Sequence, residues 1–150
     1  MRFRDDDGSA VVEFVFLAVL VMVPLVYLIA AVATVQRNTL AVSQAARDAG
    51  RAFATSDSAP EAQRRVAAAV RLALQDQGLP DDVDVRFVAS GASCSAAPIT
   101  PRLTPGAEFT VCVTRRVALP AVPSVLTGRG ISTVGMYTVH VDDYRQAVSR

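Results

Sequence analysis

One carboxylate, Glu13, lies at the start of the most apolar part of the chain. No residue from Phe14 to Val35 is charged. As a helix rising about 1.5 Å per residue, this run would span roughly 33 Å, which is enough to cross a hydrocarbon core of about 30 Å. An ionisable group beside a membrane segment is costly, so Glu13 is a candidate functional residue that needs a partner.

Two general interpretations of the first 35 residues remain open at this point. In a secretory signal, Arg2 and Arg4 would form the basic region, and residues 31–33 (AVA) would form the cleavage motif ahead of Thr34. The apolar run is longer than such signals usually are, and it contains Pro24. In an uncleaved membrane anchor, Glu13 would be an interfacial residue that still reaches lipid headgroups and water.

The chain has two cysteines, Cys94 and Cys112. If the C-terminal part lies outside the cytoplasm, a disulfide is the simplest prediction, whereas free thiols would suit a cytosolic domain. Zinc binding is poorly supported, because His140 is the one histidine and no CxxC pair exists.

Composition and motifs argue against two functional classes. Alternation places His140 on the opposite strand face from Val139 and Val141, which is typical of a solvated sheet residue. Since no catalytic triad order, paired-acid motif or phosphate-binding glycine loop occurs, we expect neither enzymatic activity nor a cofactor. The net charge is +1 and the arginines are scattered, so we expect no nucleic-acid binding.

The spacing of apolar residues predicts one helix from about Ala10 to Ala54. Its amphipathic extension, residues 36–56, follows the proposed membrane span of residues 9–35. The apolar positions of the extension recur at intervals of three and four: Val35, Thr39, Val42, Ala46, Ala49 and Phe53. Pro24 should bend or locally unwind the membrane half, either as ordinary membrane-helix composition or as a joint that helps subunits pack.

Residues 57–150 are expected to form a head domain. Ser58 and Glu61 form a capping box that begins a second helix, which Gly78 and Pro80 end. Its apolar stripe, predicted to pack on a sheet, comprises Val66, Val70, Ala73 and Leu74.

Period-two patterns predict a small antiparallel sheet of about three strands, which gives an α+β fold. The residues sharing one face are Val83, Val85 and Phe87, then Phe109, Val111 and Val113, then Ile131, Tyr137, Val139 and Val141. Residues 89–107 form a long loop that a Cys94–Cys112 bond would restrain. The proline-broken apolar segment 118–126 either fills space beside the core or contacts the membrane or a partner.

A leader ends in Gly8, the sequence GSAVVEF spans residues 8–14, and the apolar run follows directly downstream. This pattern resembles the type III signal sequence of type IV pilins and pseudopilins. Together with QAARDAGRAFA, the cysteine pair and a closing VHVDDYR, the chain is similar to the TadE-like (TadE/TadF) pseudopilins of the Tad (tight adherence) system. That system assembles Flp-type pili. The acidic residues Asp5, Asp6 and Asp7 depart from the family's pattern, and the choice between TadE-like and TadF-like stays open.

The resemblance implies a minor, pilin-like assembly component. Residues 1–8 would be a leader that prepilin peptidase removes by cutting between Gly8 and Ser9, which would make Glu13 the fifth residue of the mature chain. Because glycine has no side chain, the backbone at the cut can lie close to a protease surface. The new α-amino group on Ser9 of a neighbouring copy would then be the natural partner of Glu13, and Glu13 and Phe14 would serve subunit assembly. The implied partners are prepilin peptidase, other pilins or pseudopilins, Tad membrane platform proteins and membrane lipid. The implied location is the cytoplasmic (inner) membrane, with the N-terminus inside and the head outside. The contrasting hypothesis is a single-pass anchored binding domain outside any filament.

Overall fold

The computed structural model describes residues 7–118 and 131–144. Two α-helices precede three β-strands: α1 (Asp7–Ala54), α2 (Ala59–Asp76), β1 (Val83–Ala89), β2 (Glu108–Val117) and β3 (Ile131–His140). The α+β fold predicted from the sequence is therefore confirmed. Contacts divide the chain into two compact units, residues 1–34 and residues 35–150.

The first unit contains the apolar part of α1. Within the described residues, α1 is the one helix long and apolar enough to cross a membrane, with a mean hydropathy of 2.9 in its most apolar window and none of that window buried. The large apolar side chains from Val11 to Val32 are between 47% and 72% exposed. The helix stays continuous across Pro24, so local unwinding is not seen there, and a bend remains a prediction.

The second unit has its own hydrophobic core, and α1 supplies much of it with small side chains. Phe53 and the alanines at 41, 45, 46 and 49 are almost fully buried. One expected position is wrong, because Thr39 is exposed and the neighbouring Asn38 is buried in its place.

Helix α2 begins and ends as its sequence predicts. The Ser58 hydroxyl accepts a hydrogen bond from the Glu61 amide at 3.4 Å, and the Asp57 amide donates to the Glu61 carboxylate at 3.3 Å. After Asp76 the chain turns at Gly78, where φ is +63°, and the Leu79 amide bonds the Leu74 carbonyl at 3.0 Å. Glycine adopts this left-handed conformation without strain. The predicted stripe of α2, which comprises Val66, Val70, Ala73 and Leu74, is buried, and Ala62 is buried with it.

The sheet is antiparallel with strand order β1-β2-β3. Its core face packs against the two helices through Phe109, Val111, Val113, Val139 and Val141. Phe53 of α1 contacts Phe87 and Phe109, with ring centroids 5.4 Å and 4.9 Å away. Ile131 has the predicted parity but is 43% exposed. Of the apolar segment 118–126, residues 119–126 lie outside the described residues.

Two glycines let α1 lie close to the sheet. A Cβ built on Gly135 of β3 would come within 2.1 Å of the Val42 carbonyl oxygen. A Cβ on Gly50 would come within 2.5 Å of the Tyr137 ring. Real side chains do not approach backbone this closely, so the absence of a side chain at Gly135 permits the contact.

Candidate functional site

The predicted processing site lies at the beginning of α1. The backbone of Gly8 and Ser9 is within the helix, which starts at Asp7. Glu13 follows at the fifth position from Ser9 and is exposed. Among the described residues it has no hydrogen bond or ion pair, and its neighbour Phe14 is 72% exposed. The chain itself thus supplies no partner for this carboxylate in the part that the structure describes.

Tyr27 is a polar group on α1 that the sequence analysis did not single out. Its hydroxyl is shielded by its surroundings but has no hydrogen-bond partner among the described residues. Buried hydroxyls normally find a partner, so this one favours contact with a group from another molecule. Its position within an otherwise apolar stretch was the available sequence signal.

The predicted Cys94–Cys112 disulfide is present, with Cα atoms 5.7 Å apart. Cys112 lies on β2 and is fully buried, while Cys94 lies in the loop that follows β1. The bond ties this loop to the sheet face that points away from the helices, which we call the outer face. Closing a loop with a separation of 18 residues stabilises the fold by about 3 kcal/mol in the chain-entropy model.

Beside the disulfide, the outer face has an open cavity of about 580 Å³, which we call the outer-face groove. Side chains from all three strands and from the loop line it: Asp84, Arg86, Ser95, Thr114, Arg116 and Ser132. Asp84 accepts a hydrogen bond from Arg86 Nε at 2.9 Å. Sequence patterns do not predict this groove, because strand alternation shows which residues share a face but not which loop borders it.

A buried arginine lies under one end of the sheet. The Arg115 side chain is 7% exposed, and its Nη1 is 2.6 Å from Asp82 Oδ1 and also donates to the Pro80 carbonyl oxygen. A buried charge is expensive unless it is paired, so this ion pair holds the connection between α2 and β1. Its partner Asp82 remains 64% exposed.

His140 is exposed, as predicted, but both of its ring nitrogens face carboxylates. Nδ1 is 3.2 Å from Glu108 Oε1, and Nε2 is 3.4 Å from Asp143 Oδ2. The hydrogen bond to Glu108, followed by that to Asp143, raises the pKa of His140 above its usual value of 6.5. Both nitrogens can donate at once only in the charged imidazolium. When it is protonated, His140 lies as a cation between two anions and joins the end of β3 to the start of β2.

No metal-binding cluster of His, Cys, Asp and Glu side chains is found in the part of the chain that the structure describes. Comparisons with protein-family models, with curated proteins and with solved structures found no match to this chain. Its function must therefore be argued from its own residues and from the resemblance of its N-terminal pattern.

Proposed function

We propose that this chain is a minor pilin-like (pseudopilin) subunit of a Tad/Flp-type pilus assembly or secretion system, without enzymatic activity. Prepilin peptidase removes residues 1–8, α1 anchors the subunit in the cytoplasmic membrane, and the head lies outside. The observation that carries this proposal is an exposed Glu13 on an apolar helix, without a partner among the described residues and at the fifth position after a Gly8–Ser9 junction.

The exposed apolar half of α1 needs a non-aqueous environment. Side chains such as Phe16, Leu20 and Ile29 are more than half exposed, and leaving them in water would be costly. Lipid and neighbouring apolar helices both satisfy them. A carboxylate in that environment requires a cation or a polar partner.

Cleavage supplies such a cation. The new amino group on Ser9 of one subunit can pair with Glu13 of the next, which offsets part of the desolvation cost and fixes the axial register of packed helices. The hydroxyl of Tyr27 adds a second polar group that an adjacent helix can satisfy.

The disulfide supports an extracytoplasmic head. Disulfides persist in oxidising compartments and are rare in the cytosol. With Cys94 and Cys112 bonded outside, α1 is expected to run with its N-terminus in the cytoplasm, where prepilin peptidase acts on pilin-like leaders.

The first test is the mass of the mature protein from membranes of cells with prepilin peptidase. We expect a chain beginning at Ser9 and an intact leader in the variant Gly8→Val. A chain beginning at Thr34 would instead indicate a secretory signal. An intact leader in the wild type would favour the anchored binding domain, which the outer-face groove independently suggests.

The second test concerns Glu13. The isosteric variant Glu13→Gln removes the charge with little change in volume, and we expect it to be processed normally but to lose association with partner pilins and pilus production. Val12→Ala, a neighbouring change that keeps the carboxylate, serves as the control. Normal pilus assembly by Glu13→Gln would contradict the proposed role of the carboxylate.

A further inference from the structure

The outer-face groove has an unbalanced charge. Asp82 and Asp84 both line it, and each already has an arginine partner, because Asp84 pairs with Arg86 and Asp82 pairs with Arg115. Arg116 also lines the groove and is exposed, but within the described residues no carboxylate lies within 4.0 Å of it. In the part of the chain that the structure describes, the Arg116 guanidinium therefore has no anion in the groove.

Hydroxyl groups surround this guanidinium. Ser132 is directly opposite Arg116 in the ladder between β2 and β3. Thr114 lies two residues earlier on the same face of β2, at a separation of about 7 Å along the strand. A guanidinium binds a carboxylate through two parallel hydrogen bonds, and hydroxyls can donate further bonds to the same group. Arg116, Thr114 and Ser132 thus form a set of donors that matches a carboxylate.

Apolar side chains continue from the groove along the edge strand. Val134 borders the groove and Met136 follows it on the same face of β3, and they are 41% and 51% exposed. Within the described residues, β3 has β2 as its one strand neighbour. A small anion would fill only the polar part of this surface, whereas an extended chain with an acidic residue followed by apolar ones would cover both parts.

We propose that the outer-face groove binds an extended acidic segment of a partner protein, with a carboxylate on Arg116 and an apolar side chain against Val134 and Met136. Charge complementarity supplies the specificity, and the apolar strip extends the contact. This binding does not depend on leader cleavage, so it stands or falls separately from the pseudopilin proposal.

The test uses the oxidised full chain in detergent micelles and two fluorescent hexapeptides, GVDVLG and its amide counterpart GVNVLG. Fluorescence anisotropy should show at least about tenfold tighter binding of the acidic peptide. Added salt should weaken the binding of GVDVLG, since its main contact is between exposed charges.

Variants assign the binding to this groove. Arg116→Glu should weaken the binding of GVDVLG at least tenfold. If Arg116→Glu does not fold, the milder variant Arg116→Gln replaces it in the test and should weaken this binding to the same extent. The matched control is Arg71→Glu. Arg71 is also exposed but lies on α2, so this change should alter binding less than about twofold. Val134→Ser should weaken binding of both peptides.

Four outcomes would overturn the proposal. Equal binding of GVDVLG and GVNVLG would remove the role of the carboxylate. Equal losses in Arg116→Glu and Arg71→Glu would show general charge attraction. If succinate displaced GVDVLG at the same concentration as unlabelled GVDVLG does, the groove would be a site for small carboxylates. If neither peptide bound, the proposal would also be refuted.

Discussion

The two halves of α1 have similar regular backbone but opposite surroundings. Between Val11 and Val32 its large apolar side chains are exposed, whereas Ala41, Ala45 and Ala49 are completely buried against the head's own core. The exposed half uses large residues, whereas the buried half uses mostly alanine, with Val42 and Phe53 as its larger core residues. Large residues are suited to contact with lipid or other helices, while small residues let the helix lie close to the sheet.

The largest expected effect comes from the aromatic centre of the head. Phe53→Ala removes a ring that contacts Phe87 and Phe109, and we expect it to lower the free energy of unfolding by about 3–5 kcal/mol. Urea denaturation of the full chain in detergent, followed by near-ultraviolet circular dichroism, measures this.

Leu17→Ala is the matched control in the exposed half, where Leu17 is 50% exposed. It should change the stability of the head by less than about 0.5 kcal/mol. Equal losses in both variants would mean that the two halves of α1 do not differ as the comparison states.

A second substitution tests the close approach of α1 to the sheet. Gly135→Ala places a Cβ where the Val42 carbonyl lies, and overpacking of this kind costs about 1–3 kcal/mol. The same urea experiment measures it, with Ser132→Ala on the exposed face of β3 as control. Unchanged stability of Gly135→Ala would show that the helix can move away from the sheet without penalty.

Much of this fold follows from local sequence patterns. The end of α1 at Ala54, the Ser58 cap and the strand faces were all predicted, because apolar spacing and capping residues act over a few neighbouring positions. The Cys94–Cys112 bond was predicted because the C-terminal part was expected to lie outside the cytoplasm and because a long loop needs restraint.

Other features depend on contacts between distant residues, so sequence patterns did not reveal them. The burial of Arg115 depends on Asp82 and the Pro80 carbonyl, 33 and 35 positions away respectively. Val88 is fully buried although it points to the outer face, opposite in parity to Phe87. The groove likewise requires three strands and a loop to come together.

The smallest expected effect is the pH dependence of the His140 group. Because Glu108 and Asp143 raise the pKa of His140, its contribution to stability is fully present below the usual value of 6.5 and is lost as the pH rises through the raised value. His140→Gln should remove this dependence. The measurement is the urea midpoint at about pH 5.5 and about pH 8.5, on either side of the usual histidine pKa.

Since His140 is exposed, the effect should be small and should shrink in high salt. Wild type and His140→Gln with identical pH profiles would show that the ion pairs do not affect folding. A pH effect limited to the unfolding of the head would agree with the division of the chain into two units.

The close contact between Gly135 and the Val42 backbone has a practical consequence for anyone who attaches probes to this protein. A dye or spin label on the inner side of β3 would force the helix away and report a distorted molecule. Leu40 and Leu72, which are 67% and 59% exposed, accept such groups without entering the core, and they leave the outer face of the sheet free.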